Sequence, residues 1–465
     1  MIISRRRFLA LAGVVSGTTL IACCSTPDPE VPDVALERWT GGDLPLVAGV
    51  SADGRRLVDE NGSPLLVLAD TVWTMSGVYT AEQLGKYFSE RQAQGFNAVQ
   101  TSALPFHIDG SGNRVDGCID GQQAFVDGDI TRWDEGYWTR LDTLLDEASK
   151  RGFSVLLGAM GPLLAYGIGD PAESREFGRM LGDRYGGRPG IIWLFGVDYA
   201  SSEWDLLDPS LLECLDGLRD AGADQPATVQ YHNNSSLSVD NARWGGRVEV
   251  QAAYTYAPTY AVVRKGYELA EGPVALVESN FEDENNTAGP DTTSETIRRQ
   301  VLWTYTSGGA YAAYGRRDVW QSRGDFLDAL GSTAVAQLGL IRARVETLDW
   351  SAWVPDLAGE VLVDGSGEDV RSGSQLDGTA DMLESDFATC AATPDRSQVV
   401  VYLPTARPVR LDLGDSEVHA VWWDPTTGAE SGVRPDDSGW FEPPEGRHSD
   451  DATDWLLVVD RVAAG

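Results

Sequence analysis

The stretch from Ser174 to Asp198, SREFGRMLGDRYGGRPGIIWLFGVD, decides the fold class. Its first part, Ser174–Tyr185, is amphipathic at helical spacing. Its second, Ile191–Gly196, is a short apolar run that ends beside a carboxylate, Asp198. A helix feeding a buried strand is part of a βα rhythm, and the same rhythm recurs on both sides. Strand patterns fall at Pro64–Ala69, Ala98–Thr101, Ser154–Gly158, Ala227–Tyr231, Val248–Gln251, Val274–Glu278 and Ala310–Tyr314. Helical patterns fall at Thr80–Gln94, Trp138–Arg151, Pro209–Ala221, Ser294–Ser307 and Phe326–Glu346, the first opening on Thr-Ala-Glu-Gln. Eight strands with interleaved helices predict an α/β fold, a (β/α)8 TIM barrel.

After Trp350 the pattern changes. Gly, Asp and Ser fill Gly359–Asp386, and short alternating runs follow at Gln398–Leu403, Pro408–Leu413, Val418–Trp423 and Trp455–Val459. These predict a small C-terminal antiparallel β-sandwich domain, with Asp364–Leu376 a loop or an added hairpin. The domain plan is then residues 1–30 as signal and tether, 31–350 as barrel and 351–465 as sandwich.

The first residues read as an export signal. Ser4-Arg5-Arg6-Arg7-Phe8-Leu9 has the twin-arginine pattern, and the apolar stretch Phe8–Ala22 is too short and too interrupted by Gly, Ser and Thr to span a bilayer. It ends in Leu20-Ile21-Ala22-Cys23, similar to a lipobox, so Cys23 is the expected lipidation site; a soluble secreted protein cut nearby is the alternative. The expected location is extracytoplasmic, with the membrane a partner through the lipid anchor only. Cleavage there removes three arginines and no acid from a 465-residue chain whose formal charge is already −35. Such a polyanion is not a nucleic-acid binder. Cys118, Cys214 and Cys390 are widely spaced and predict neither a disulfide framework nor a metal site. The excess of acids, with only three lysines, fits a high-salt habitat, where self-repulsion is screened, or equally an acidic extracellular enzyme.

In a barrel of this type the chemistry sits at the C-terminal strand ends. Asp198 and Glu278 are the carboxylates that directly follow the strongly apolar fourth and seventh strands, which face each other across the mouth. Two acids facing one ligand from two sides are what glycoside hydrolysis requires, one protonated and one ionised. His232, Tyr231, Asn280 and Tyr254 are placed to donate to Glu278. Asp70 is a candidate for sugar hydroxyls and Trp73 and Trp320 for stacking on a sugar face. His107, Trp193, Gln251 and Tyr311 complete the candidate substrate contacts. The cluster Glu282-Asp283-Glu284-Asn285-Asn286 reads as an acidic solvated loop, with calcium as the alternative. The chemistry calls for no cofactor.

Taken in order, Leu57-Val58-Asp59-Glu60-Asn61-Gly62-Ser63-Pro64, Asp70-Thr71-Val72-Trp73, Gly95-Phe96-Asn97, Arg184-Tyr185, Ile192–Asp198, Tyr231-His232 and Tyr314-Gly315 to Trp320 resemble the apiosidase-like glycoside hydrolases. Val401-Tyr402-Leu403-Pro404, Trp423–Gly428, Phe441–Pro444 and Asp454-Trp455 resemble the C-terminal domain, labelled collagen-binding, that accompanies that barrel. The resemblance implies a retaining glycosidase with Asp198 as acid/base, Glu278 as nucleophile and a poly- or oligosaccharide as substrate. The sequence departs from the family at Gly196-Val197, where two glycines are usual, and at Phe281, where Tyr is usual. It departs again at Gln251–Tyr254, which lacks Ser-Gly-His, and at Tyr311, where His is common. A surface lipoprotein that binds carbohydrate without cleaving it is the rival reading, and an inverting enzyme of the same fold is a second.

Overall fold

The computed structural model describes residues 44–161, 170–231, 235–269, 271–284, 291–369, 382–414 and 417–462. Eight parallel strands form the barrel: β1 (Val67–Thr71), β2 (Ala98–Ser102), β3 (Ser154–Met160), β4 (Ile191–Tyr199), β5 (Ala227–Tyr231), β6 (Gln251–Tyr254), β7 (Val274–Glu278) and β8 (Gly309–Tyr314). Nearly every strand residue is buried, which is why they read as continuous apolar runs rather than alternating ones. The longer helices among the described residues are α1 (Ala81–Ala93), α2 (Glu135–Ser149), α3 (Pro171–Tyr185), α4 (Trp204–Asp220), α5 (Thr259–Leu269), α6 (Ser294–Thr306) and α7 (Thr333–Glu346). Local chemistry sets their starts. Thr80 and Gln83 form a capping box at α1, and Asp170 and Glu173 form another at α3 with Pro171 in the first turn.

Among the boundaries that differ from the sequence expectation, three are instructive. Pro64–Leu65 belongs to a hairpin sheet with Leu57–Val58 and Gly49–Val50, so the first barrel strand starts at Val67. The sixth strand is Gln251–Tyr254, three residues later than its valine-rich lead-in, because Gln251 is the first residue whose N–H joins the β7 side, through Pro273 O. The long pattern Phe326–Glu346 is broken by Ser332, which caps α7 through Val335 N. Helix α5 carried no signal in the strand-and-helix rhythm.

Along one seam main-chain bonding is confined to the start of β5, where Ala227 O accepts from Glu249 N and Val250 N at 3.1 Å each. Between β5 and β6 the Ser238 hydroxyl donates to Val229 O at 2.8 Å and accepts from Ala252 N at 2.9 Å, while Thr228 Oγ1 donates to Val250 O at 2.8 Å. Among the described residues this crossover holds a short antiparallel strand, Ser236–Leu237, and a 3-10 turn in place of a long helix.

The C-terminal strands form two sheets. One has six strands in the order β9 (Val354–Pro355), β11 (Thr389–Ala392), β12 (Gln398–Leu403), β17 (Trp455–Arg461), β14 (Val418–Trp423), β15 (Glu430–Val433); the other has three, β10 (Leu362–Asp364), β13 (Val409–Leu411) and β16 (Trp440–Phe441). Strand β10 answers part of the open question at Asp364–Leu376, the residues from 370 to 376 lying outside the described set. The larger sheet is buried on both faces. Val399, Val401, Leu403, Trp422, Leu457 and Val459 pack against the smaller sheet, while Val400, Tyr402, Val421, Trp423, Leu456 and Val458 join the barrel's own core. Barrel and sandwich accordingly belong to one compact unit, Val34–Gly465.

Polar contacts fasten the joint. Arg298 of α6 donates from Nε and Nη2 to both oxygens of Asp454 at 3.0 and 2.7 Å, and from Nη1 to Asp450 and Gln337 at 2.8 Å. Both Arg298 and Asp454 are fully buried, and Tyr402 donates a further bond to Asp454 at 3.2 Å. Trp303 donates to Phe387 O at 2.9 Å.

Candidate active site

Strand β4 ends in an irregularity that sets the position of Asp198. Gln230 of β5 pairs with Gly196 and the next residue, Tyr231, pairs with Tyr199, so Val197 and Asp198 are extra residues extruded from the ladder. Gly196, Val197 and Asp198 all have positive φ, 82°, 60° and 65°. A Cβ on Gly196 would lie 2.4 Å from the Tyr199 ring and 2.6 Å from Gln230 O, so only glycine fits there. Val197 is a β-branched residue in the left-handed region, which costs on the order of 1–3 kcal/mol and persists because its surroundings enforce it. A bulge of this kind re-aims a side chain. Here it turns the Asp198 carboxylate into the barrel mouth.

Glu278, the last residue of β7, faces the same cavity, and both residues are only partly buried. Glu278 Oε1 accepts from Tyr254 at 3.0 Å and Tyr256 at 3.1 Å, and Oε2 accepts from Gln230 Nε2 at 2.9 Å. These partners are neutral. Burial, and then the negative charge of Asp198, push the Glu278 pKa well above the ordinary glutamate value, and the three donors oppose that rise. Glu278 therefore holds its proton to higher pH than an isolated glutamate would.

The cavity has a volume of about 310 Å³. Trp73 and Trp320 form part of its wall with Val197, Tyr256 and Phe281, and Glu284 lies at its edge, accepting from the Trp320 indole at 2.6 Å. A hairpin inserted after β2, Phe106–Ile108 paired with Arg114–Asp116, supplies the rest. Phe106, Ile108 and Arg114 share the face that lines the cavity.

The sequence-derived candidates therefore divide. Asp198, Glu278, Trp73, Trp320 and Tyr254 are brought together. His107 sits between Phe106 and Ile108 and so takes the opposite face of the hairpin, its Nδ1 3.1 Å from Gly117 O. Asp70 does not reach the cavity: it is fully buried, holding Arg91 Nε and Tyr87 Oη at 2.7 Å each. Trp193 is buried with its indole on Gln225 at 3.2 Å. The Tyr231 hydroxyl donates to Ser238 O at 3.1 Å, away from Glu278. Gln251 stands at the start of β6 and donates to Glu271 O at 3.0 Å. Tyr311 fills the barrel interior, donating to Gln100 at 3.1 Å. In each case a strand residue points into the packed interior or lies too far from the strand's C-terminal end. Asn280 donates to Tyr256 O at 3.2 Å, not to Glu278. His232, Asn285, Asn286 and Cys23 lie outside the described residues.

The acidic cluster is not a solvated loop in its described part. Glu282 is buried and accepts from Tyr314 at 2.5 Å and Ser332 at 2.8 Å, and Asp283 pairs with Arg316 at 2.7 Å. Sequence reasoning missed Gln230, Tyr256 and the hairpin face. Tyr256 follows Tyr254 at strand spacing, and Asp109-Gly110-Ser111-Gly112-Asn113 is a turn signal between two short apolar runs.

Residues 51–352 match the family described as apiosidase-like, catalytic domain, and residues 379–460 match one described as "Putative collagen-binding domain of a collagenase". No curated protein matches the chain in sequence. Among solved structures, one described as a glycoside hydrolase is 18% identical with a TM-score of 0.76, over 91% of this chain and 99% of that one. A glycoside hydrolase family 5 protein from Bacteroides vulgatus ATCC 8482 is 20% identical with a TM-score of 0.73, over 89% of this chain and 93% of that one. Both share the barrel-and-sandwich fold over nearly their whole length.

Proposed function

Because the chain belongs to the apiosidase-like family of glycoside hydrolases, we propose that it is a retaining enzyme with Glu278 as nucleophile and Asp198 as acid/base. The observation that carries this reading is the pair itself: two carboxylates at opposite strand ends, opening on one cavity, with three neutral donors on Glu278. The mechanism requires Glu278 ionised and Asp198 protonated when substrate is bound; burial and the Asp198 charge oppose ionisation of Glu278, and the donors from Gln230, Tyr254 and Tyr256 favour it. A neutral Asp198 protonates the leaving oxygen while the Glu278 carboxylate attacks the anomeric carbon. Asp198, now ionised, then takes a proton from the water that releases the sugar. Trp73 and Trp320 offer flat faces to the sugar's C–H side.

The substrate proposed is a plant- or microbial-type poly- or oligosaccharide. The chain is further proposed to leave the cytoplasm by the twin-arginine route and to be held outside by a lipid on Cys23; release of Cys23→Ser from the membrane fraction tests this, and a soluble, unacylated wild type refutes it. The sandwich is read as a stabilising domain without catalytic residues, supported by the covering of both faces of its larger sheet.

Asp198→Asn tests the mechanism. With a leaving group too acidic to need a proton the glycosyl-enzyme should form and accumulate, and azide, which needs no base, should restore turnover. The product should keep the anomeric configuration of the substrate, observed by NMR. Normal hydrolysis of an unactivated glycoside by Asp198→Asn would refute the assignment, and an inverted product would favour a base-and-water mechanism.

A further inference from the structure

Arg114 is the one cation among the described residues lining a cavity whose other charged groups, Asp198, Glu278 and Glu284, are acids. Its guanidinium lies over the Phe106 ring, 4.7 Å from the centroid, and three-quarters of its side chain is removed from water. The nearest acid, Asp116, is half exposed, with Oδ1 3.3 Å from Nε. That ion pair engages Nε alone, and no hydrogen bond is made by either Nη group to the described residues. Burial is strong enough to lower the guanidinium's affinity for its proton in spite of Asp116. The Nη edge is what a ligand in the cavity would meet. The hairpin register places it there: Arg114 pairs with Ile108, on the same face as Phe106, so it cannot turn to solvent without breaking the cavity wall.

We propose that the cavity takes a glycoside bearing an anionic substituent, a uronate carboxylate or a sulfate ester, with Arg114 as the specificity-determining contact. The inference rests on the glycosidase reading above. A guanidinium matches either oxyanion through paired N–H donors, a geometry that Lys lacks. The chain's net charge of −35 repels free anions at long range, so a preference for charged sugars has to come from a local contact. Such a preference is therefore diagnostic.

Calorimetric titration of the full chain tests it. The panel is the methyl glycosides of glucuronate and galacturonate, the neutral methyl glucoside and galactoside, and methyl galactoside 6-sulfate. A charged sugar should bind about 10-fold tighter than its neutral counterpart, the worth of one charge-assisted bond. In Arg114→Gln the two should converge on the neutral sugar's Kd, and Arg114→Lys should keep part of the difference, with melting temperatures unchanged. A tighter uronate than sulfate identifies the carboxylate as the source, and the reverse order identifies the ester. Equal binding of charged and neutral sugars by wild type, or an unchanged preference in Arg114→Gln, overturns the inference and leaves the glycosidase reading intact. If wild type binds none of the panel, the inference is overturned, and the glycosidase reading stands or falls on the hydrolysis tests above.

Discussion

Asp454 and Glu278 are both carboxylates drawn out of water, one at the joint between barrel and sandwich, the other at the barrel mouth. Asp454 meets Arg298 through both oxygens and a tyrosine besides. Asp70, also fully buried, meets a guanidinium through one oxygen, Oδ2, which Arg91 Nε and the Tyr87 hydroxyl share. Glu278 instead receives three neutral donors and a second acid, Asp198. A guanidinium would settle its charge and lock its proton off; neutral donors and a like charge leave the proton movable. The joint is arranged for stability and the mouth for chemistry, although both use the same residue types.

The comparison breaks most visibly at Glu278→Gln. Turnover should fall on the order of 10⁴-fold or more, the scale seen when a nucleophile is removed. The melting temperature should hold or rise, since a desolvated charge beside Asp198 is gone. A drop of many degrees would class Glu278 with Asp454 as a structural acid. Arg298→Met is the converse. It leaves Asp454 buried without its counter-charge, and denaturant unfolding should show a loss of about 3–5 kcal/mol, while kcat per folded molecule stays near wild type. A loss below about 1 kcal/mol would mean that the joint contributes little.

Gly196→Ala sits between the two classes. Its Cβ collides with Tyr199 and Gln230 at a backbone angle only glycine tolerates, so stability should fall about 1–3 kcal/mol. Displacing the adjacent Asp198 by even ~1 Å should also cost about 10²-fold in kcat. Retained activity would show that the bulge does not position the acid. The smallest effect is expected at the joint's edge, at His448. Its two ring nitrogens face acceptors, Asp424 Oδ2 at 3.4 Å and Asp454 O at 2.6 Å, an arrangement that suits imidazolium. Burial opposes the charge, but Asp424 and the Asp454 carbonyl outweigh it and raise the His448 pKa. A raised folded pKa means that this contribution is whole below the unfolded histidine value near 6.5 and fades as pH climbs through the folded one. The stability gap between wild type and His448→Asn should therefore be of order 1 kcal/mol at pH 6 and shrink towards pH 9. A gap that widens with pH would reverse the sign.

Much of this was legible in the chain. Seven of the barrel strands, the lead-in to the sixth and four sandwich strands stand out as apolar runs because they are buried on one or both faces, and Asp198 and Glu278 stand out as carboxylates that directly follow such runs. What stayed hidden depends on three-dimensional register. Asp70 and Glu278 look alike in sequence, each an acid at a strand end, and only the placement of Arg91 behind one of them separates their fates. Gln230 and Tyr231 are neighbours, and the bulge at Asp198 decides which of them serves Glu278. Arg114 carries no local sign at all, since its position follows from the pairing of a three-residue hairpin. Strands such as Glu430–Val433 were missed because they are exposed and polar, without the burial that marks the rest.

The hydroxyl-bridged seam between β5 and β6 lies between the two strands that carry Gln230 and Tyr254, both holders of Glu278. A closure made by two main-chain bonds on Ala227 O and by the hydroxyls of Ser238 and Thr228 has fewer supports than a continuous backbone ladder, so warming should part the barrel along this line before the rest of the sheet yields. The enzyme would then fall silent while still folded: heat should quench catalysis some degrees below the temperature at which helices melt, and cooling should bring it back.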